Sequence, residues 1–92
     1  MSDFIDRINR EVKKAIEGEL RPYPGSSFYF YRDSTVQEVT SGRYWITCYI
    51  HLSGIPRKSR IYLEEGIKAS VNDALYYIQD GLYVNNFYFQ YS

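Results

Sequence analysis

Cysteine and histidine are the residue types best suited to nucleophilic or acid–base chemistry, and each occurs once, as Cys48 and His51. An activated thiolate needs a base or a positive charge close by. In an extended strand, residues three apart point to opposite faces, so these two side chains cannot meet. The acidic residues are dispersed, and there is no glycine-rich phosphate loop or set of metal ligands. The sequence therefore predicts a protein that is not an enzyme and has no metal or cofactor.

A basic group near the middle of the chain is the main candidate for anion binding. The candidate contacts for the phosphates of a nucleic acid or nucleotide are Arg43, Arg57, Lys58 and Arg60. Glu64 and Glu65 follow closely and weaken the attraction for an anion. The alternative is a solvated loop without a ligand, and the sequence favours that alternative over nucleic-acid binding.

Tyrosine accounts for eleven of the 92 residues, and much of it lies in strand-like segments. Residues 28–31 (FYFY) and 87–91 (FYFQY) place rings on both faces of an extended chain, because strand side chains alternate. One face can enter a core, and the other keeps rings with an apolar body and a polar tip, which are frequent in protein interfaces. The alternative is a core filled from both sides, which would bury these rings. The candidate partner-binding residues are Tyr29, Tyr31, Trp45, Tyr49 and Tyr88.

Size and charge limit the class of protein. Ninety-two residues predict a single domain over 1–92, and a 45% apolar share is ample for its core. The formal net charge is zero, so no general field attracts nucleic acid or an anionic membrane. One cysteine, no apolar run of about 20 residues and no secretion signal predict a cytoplasmic protein without a membrane partner.

The first half of the chain is predicted to form one helix and three strands. Apolar residues recur every three or four positions after Ser2, and Gly18 offers a stop, so a helix is predicted between them. Two prolines at 22 and 24 then exclude any helix. Alternating and β-branched residues predict strands, separated by turns at 33–34 and 41–42, over residues 26–32, 35–40 and 43–52.

The second half is predicted to add a helix and a last strand. Ser70, with Asp73 three residues later, resembles a helix N-cap, and Gly81 ends that helix. Residues 82–91 are predicted to form the last strand, either continuous or interrupted at residues 85–86. Ile61 to Leu63 fit either a short strand or an extended approach to the helix, and the sequence does not decide between them.

The resulting order, α-β-β-β-α-β, predicts an α+β fold. Two helices and a mainly antiparallel sheet form a two-layer sandwich when both helices cover one face of the sheet. The other face then stays open and carries the candidate tyrosines, a larger aromatic patch than monomers usually expose. If residues 87–91 lie at an edge of the sheet, their backbone can accept a strand from a partner.

This layout resembles that of small tail-completion and tail-terminator proteins of tailed bacteriophages. The segments that carry the resemblance are the strand over 41–52 and the helix over 70–81. The resemblance implies assembly at the head–tail junction, in a host cytoplasm or a virion, and it transfers no functional residue.

Three functions are compatible with these observations. The first is a non-enzymatic assembly protein that docks through its tyrosine-bearing strands onto itself or another subunit. The second is a small phage-type inhibitor, an anti-defence protein that binds and blocks a host macromolecule. The third is a weak nucleic-acid-binding module that uses the basic residues.

Overall fold

Two helices and three strands make up the fold of the computed structural model, which describes residues 3–92 except for the side chains of residues 33–35. A 3-10 turn, Arg57–Ser59, precedes the second helix. In chain order the elements are α1 (Asp3–Glu19), β1 (Ser27–Thr40), β2 (Arg43–Ser53), α2 (Arg60–Ile78) and β3 (Asn86–Tyr91).

The sheet has the strand order β1-β2-β3, so β2 is central. β1 pairs antiparallel with β2 through a tight turn in which Gly42 has a φ of 78°, a conformation that L side chains rarely adopt. β3 pairs parallel to β2, because the chain returns across the sheet through α2. The antiparallel ladder is the longer of the two, in agreement with the predicted mainly antiparallel sheet.

Both helices pack on the same face of the sheet, which confirms the predicted two-layer α+β sandwich. Alternate residues of β2 enter the core, and each helix contributes a stripe at helical spacing. The fully buried positions are Ile8, Val12 and Ile16 of α1, Ile46, Cys48, Ile50 and Leu52 of β2, and Ile67, Val71 and Leu75 of α2.

The two strands predicted over 26–32 and 35–40 form one continuous strand, β1. In place of a turn, the pairing with β2 shifts register between Phe30 and Arg32 and again after Arg32. The extra residues are absorbed as bulges, because the neighbouring β2 supplies hydrogen-bond partners along its whole length. The order before α2 is therefore helix, long strand, strand.

The second helix begins ten residues earlier than predicted. Residues 61–63, which fitted a strand or an extended segment, form its first turn, and Leu63 is buried there. Ser70 is therefore not an N-cap but a mid-helix residue that bonds to α1. The last strand is shorter than predicted, because residues 82–85 form a connection in which the Val84 N–H donates to Asn72 Oδ1 at 2.8 Å.

Candidate functional site

The open face of the sheet, opposite the helices, carries a row of tyrosine rings across all three strands. Tyr49 of β2 lies at the centre of this row. Tyr88 of β3, its partner in the parallel ladder, stacks on it with ring centroids 5.2 Å apart and ring planes 14° apart. Tyr31 of β1 meets the Tyr49 ring edge-on at 5.7 Å. The register shift after Phe30 places Arg32 directly opposite Tyr49 in the ladder, and the Tyr31 ring reaches Tyr49 from the adjacent position.

A second ring pair extends the row along β1 and β2. Tyr29 lies directly opposite His51 in the antiparallel ladder, and the two rings stack with centroids 4.7 Å apart. The Nδ1 atom of His51 is buried without a hydrogen-bond partner among the described residues. His51 thus adds a second flat ring beside Tyr29 on the open face. The five rings are here called the ring cluster: Tyr29, Tyr31, Tyr49, His51 and Tyr88.

The ring cluster is accessible to a partner. Tyr29 is 54% exposed and Tyr88 is 48% exposed, while Tyr31 and Tyr49 are half-buried by their neighbours in the row. The Arg32 guanidinium lies 5.2 Å from the centre of the Tyr49 ring and adds a positive charge to the surface. The rings hold one another in place, so a partner would meet a largely preorganised surface.

Trp45 is exposed on the same face but is separate from the ring cluster. Thr47, which is buried, lies between it and Tyr49 on β2. Trp45 instead lines a cleft of about 310 Å³ at the end of the sheet, together with Val39, Arg43, Tyr83 and Asn85. The structure therefore brings together four of the five candidate tyrosine and tryptophan residues and places Trp45 in a neighbouring patch.

The four candidate anion contacts do not form one site. Arg43 begins β2, whereas the other three follow its far end, and an 11-residue strand spans roughly 35 Å. Arg57 and Lys58 lie exposed in the 3-10 turn. The Arg60 guanidinium lies 4.2 Å from the centre of the Tyr91 ring and is engaged within the fold.

Tyr91 joins the end of β3 to the start of α2. Its hydroxyl donates a hydrogen bond to Glu64, and its ring lies beneath Arg60. Burial, together with the hydrogen bond and the negative charge of Glu64, raises the pKa of Tyr91 above its ordinary value, while the charge of Arg60 lowers it. This tyrosine is structural and lies on the helix side of the sheet.

Cys48 and His51 are separated as the alternation of β2 requires. Cys48 is fully buried between the sheet and the helices, and His51 belongs to the open face. Within residues 3–92, no three histidine, cysteine, aspartate or glutamate side chains that the structure describes are placed to share a metal ion. Over the same range, neither helix combines the length and apolar composition needed to cross a bilayer.

Two groups of surface residues were missed from the sequence. The sequence assigns His51 no place among the candidate partner-binding residues, although its position opposite Tyr29 follows once the hairpin register is known. Tyr62 and Tyr77 are 82% and 78% exposed on the outer face of α2. The apolar residues from Leu63 to Leu75 recur at helical spacing, and this pattern would have placed Tyr62 at the start of an exposed helix face. The prediction that the helix begins at Ser70 uses only the second half of that pattern.

Comparison with protein-family models, curated proteins and solved structures finds no match for this chain. The ring cluster on the open face is therefore the feature from which function is inferred.

Proposed function

We propose that this protein is a non-enzymatic binding protein that docks a protein partner through the open face of its sheet. The observation that carries the proposal is the ring cluster, in which Tyr31, Tyr49 and Tyr88 touch in sequence across three strands. Tyrosine is enriched among the residues that dominate protein–protein binding energies. The ring of Tyr31, Tyr49 or Tyr88 would supply contact area, and its hydroxyl would supply a hydrogen bond at the rim.

Preorganisation supports the same proposal. Immobilising a flexible side chain on binding costs roughly 0.5–1.5 kcal/mol. In the ring cluster much of this ordering has already occurred, because Tyr29 stacks on His51 and Tyr49 stacks on Tyr88. Fixed rings accompanied by the single guanidinium of Arg32 fit a protein surface better than a phosphate backbone, which needs several cations.

Two forms of this function differ in stoichiometry. An assembly component, such as the head–tail junction protein that the layout suggests, would form complexes with many copies of the chain. A phage-type inhibitor would cover one site on a host macromolecule in a small complex of fixed composition. Light scattering on the purified complex separates these two forms.

Photo-crosslinking from the open face tests the docking itself. A photoreactive phenylalanine analogue replaces Tyr29 in the ring cluster and, in a matched control, replaces Tyr77 on the outer face of α2. Both positions are exposed. We expect one discrete protein adduct from position 29, absent from position 77, after irradiation in cells that naturally make the protein.

The variant Tyr49→Ser should remove that adduct, because the ring at the centre of the row is lost. Equal adducts from positions 29 and 77, or an adduct that survives Tyr49→Ser in a folded chain, would contradict open-face docking. An adduct that disappears with nuclease treatment would instead assign the surface to nucleic acid.

A further inference from the structure

The outer edge of β3 lacks the features that normally keep edge strands from pairing. β3 has no charged residue and no proline, and it pairs with β2 without a register shift. The opposite edge is different: β1 contains three register shifts and carries charges at positions that include Arg32 and Glu38. Bulges and charges protect an edge, whereas a regular, uncharged, aromatic edge is a template for another strand. The two edges of this sheet therefore differ in their capacity to pair.

The backbone of β3 directs three residues toward this free edge. The Ser92 N–H donates to the Leu52 carbonyl at 3.1 Å, so the backbone N–H of Ser92 points toward β2. Backbone groups alternate along a strand, so Phe87, Phe89 and Tyr91 direct their N–H and C=O groups away from β2. No element among residues 3–92 lies beyond β3 in the sheet.

Side chains along the same edge are only partly covered. Phe87 and Phe89 pack against the core from the helix side, yet both remain half-buried, with parallel rings 5.9 Å apart. A strand added beyond β3 would cover these two rings.

We propose that the occupant of this edge is a second copy of the chain, whose β3 pairs antiparallel with the first around Phe89. Phe89 then lies opposite Phe89 of the second copy, and Phe87 lies opposite Tyr91 of the second copy. All three outward-directed residues enter hydrogen-bonded pairs, which gives about six hydrogen bonds between the copies. The two sheets join into one, and the open faces with their ring clusters become continuous.

The charges of α2 beside this edge fit a second copy. Arg60 and Glu64 contact Tyr91, and Asn72 contacts Val84, so this row of α2 faces the β3 side. Lys68 lies in the same row, one turn after Glu64 and bonded to Glu65 at 3.2 Å. Antiparallel pairing about Phe89 places the α2 row of one copy opposite the same row of the second copy, running in the reverse direction. Lys68 then lies near the glutamates of the second copy. This complementarity favours a second copy over an unrelated peptide.

Edge pairing is carried by the outward backbone of β3 and open-face docking by the rings, so each can fail without the other, although Tyr88 takes part in both. Tyr88 and Gln90 are exposed on the open side of β3, and the proposed register places Tyr88 directly opposite Gln90 of the second copy. Light scattering should show a dimer for the wild-type chain. The double variant Tyr88→Glu with Gln90→Glu sets like charges across the seam and should weaken dimerisation at least about tenfold. The pair Tyr88→Lys with Gln90→Glu should restore it.

Disulfide trapping tests the register directly. Chains with Tyr88→Cys and chains with Gln90→Cys are mixed and oxidised. The facing Cα atoms lie about 4.5 Å apart in such a pair, within disulfide range. We expect crosslinked dimers from the mixture and few from either chain alone.

Three results would overturn the edge pairing. The first is a wild-type chain that stays monomeric at all concentrations. The second is a dimer that the double variant Tyr88→Glu with Gln90→Glu does not weaken. The third is disulfide crosslinking that is as strong in either cysteine chain alone as in the mixture. None of them affects the adduct expected from position 29. A monomer that binds an added peptide of the β3 sequence would likewise exclude self-pairing of the whole chain.

Discussion

Ser70 Oγ donates a hydrogen bond to Glu19 Oε2 at 2.7 Å and thereby joins the middle of α2 to the end of α1. The same carboxylate lies against Gly66, one turn earlier in α2. A Cβ placed at Gly66 would meet Glu19 Oε1, with Glu19 Cδ at 3.4 Å. The two helices thus meet at Glu19 of α1, whose carboxylate fits against Gly66 of α2 and is held there by Ser70 of α2.

Gly66→Ala should stabilise the chain less in the wild-type background than in a Glu19→Ala background. In the wild-type chain, the new methyl group displaces the Glu19 carboxylate and weakens its bond to Ser70, which offsets the helix propensity gained, so the net change should stay below about 1 kcal/mol. In a Glu19→Ala background nothing is displaced, and Gly66→Ala should stabilise by about 1 kcal/mol. Urea unfolding of the four proteins measures the difference. Equal effects in both backgrounds would show that Glu19 does not restrict position 66.

Ser70 also shows where sequence patterns stop being informative. Its hydroxyl and the acid at position 73 are typical of a helix start, but both residues lie inside α2. A capping pattern describes only local bonds, whereas Leu63 and Ile67 continue the buried stripe upstream and decide the helix boundary through packing. The amphipathic pattern predicted α1 well for the same reason.

The candidate site was predictable in composition but not in arrangement. Alternation along β2 places Tyr49 opposite the buried face, and the structure agrees. Contact between Tyr49 and Tyr88, however, depends on β3 entering the sheet parallel to β2. That pairing joins residues 39 positions apart, and no local pattern encodes its register.

Asn85→Ala should destabilise the protein by about 1–3 kcal/mol. Asn85 Oδ1 accepts a hydrogen bond from the Ile46 N–H, and its own N–H donates to the Ile46 carbonyl, each at 2.8 Å. Removal of the side chain leaves the N–H of a fully buried residue without its partner. Thermal unfolding measures the loss. The matched control is Asn86→Ala, for which we expect about 0.5 kcal/mol or less, and equal losses would rule out this role for Asn85.

Tyr91→Phe should cost about 1 kcal/mol at neutral pH, because it removes the hydrogen bond to Glu64. Burial is the main cause that raises the pKa of Tyr91 in the fold, whereas an unfolded tyrosine titrates near about 10. The contribution of neutral Tyr91 is therefore complete below about pH 10 and is lost as the pH rises toward the folded value. The stability difference between the wild type and Tyr91→Phe should be constant at neutral pH and should narrow above about pH 10. Urea titrations across this pH range measure the stability difference. A difference that widens above about pH 10 would contradict a raised pKa of Tyr91 in the fold.

Cys48 should be inert in the native protein. Its side chain is fully buried between the sheet and both helices, so a thiol reagent cannot reach it without opening the core. Modification should be slow in native buffer, accelerate with urea in step with unfolding, and become complete in denaturant. Rapid stoichiometric reaction in native buffer would show that this part of the core opens locally.

Tyr49 and Tyr88 should be energetically coupled even in the isolated chain. Their rings stack with centroids 5.2 Å apart, and such aromatic pairs contribute about 0.5–1.5 kcal/mol beyond the area they bury. In a double-mutant cycle, Tyr49→Ala and Tyr88→Ala should therefore together cost less than the sum of the single changes. Tyr29 contacts His51 rather than Tyr88, so the cycle of Tyr29→Ala with Tyr88→Ala should be additive. Coupling in the first cycle alone identifies a fixed ring pair that is ordered before any partner binds. Additivity in both cycles would mean that the rings move independently and that a partner must order them on binding.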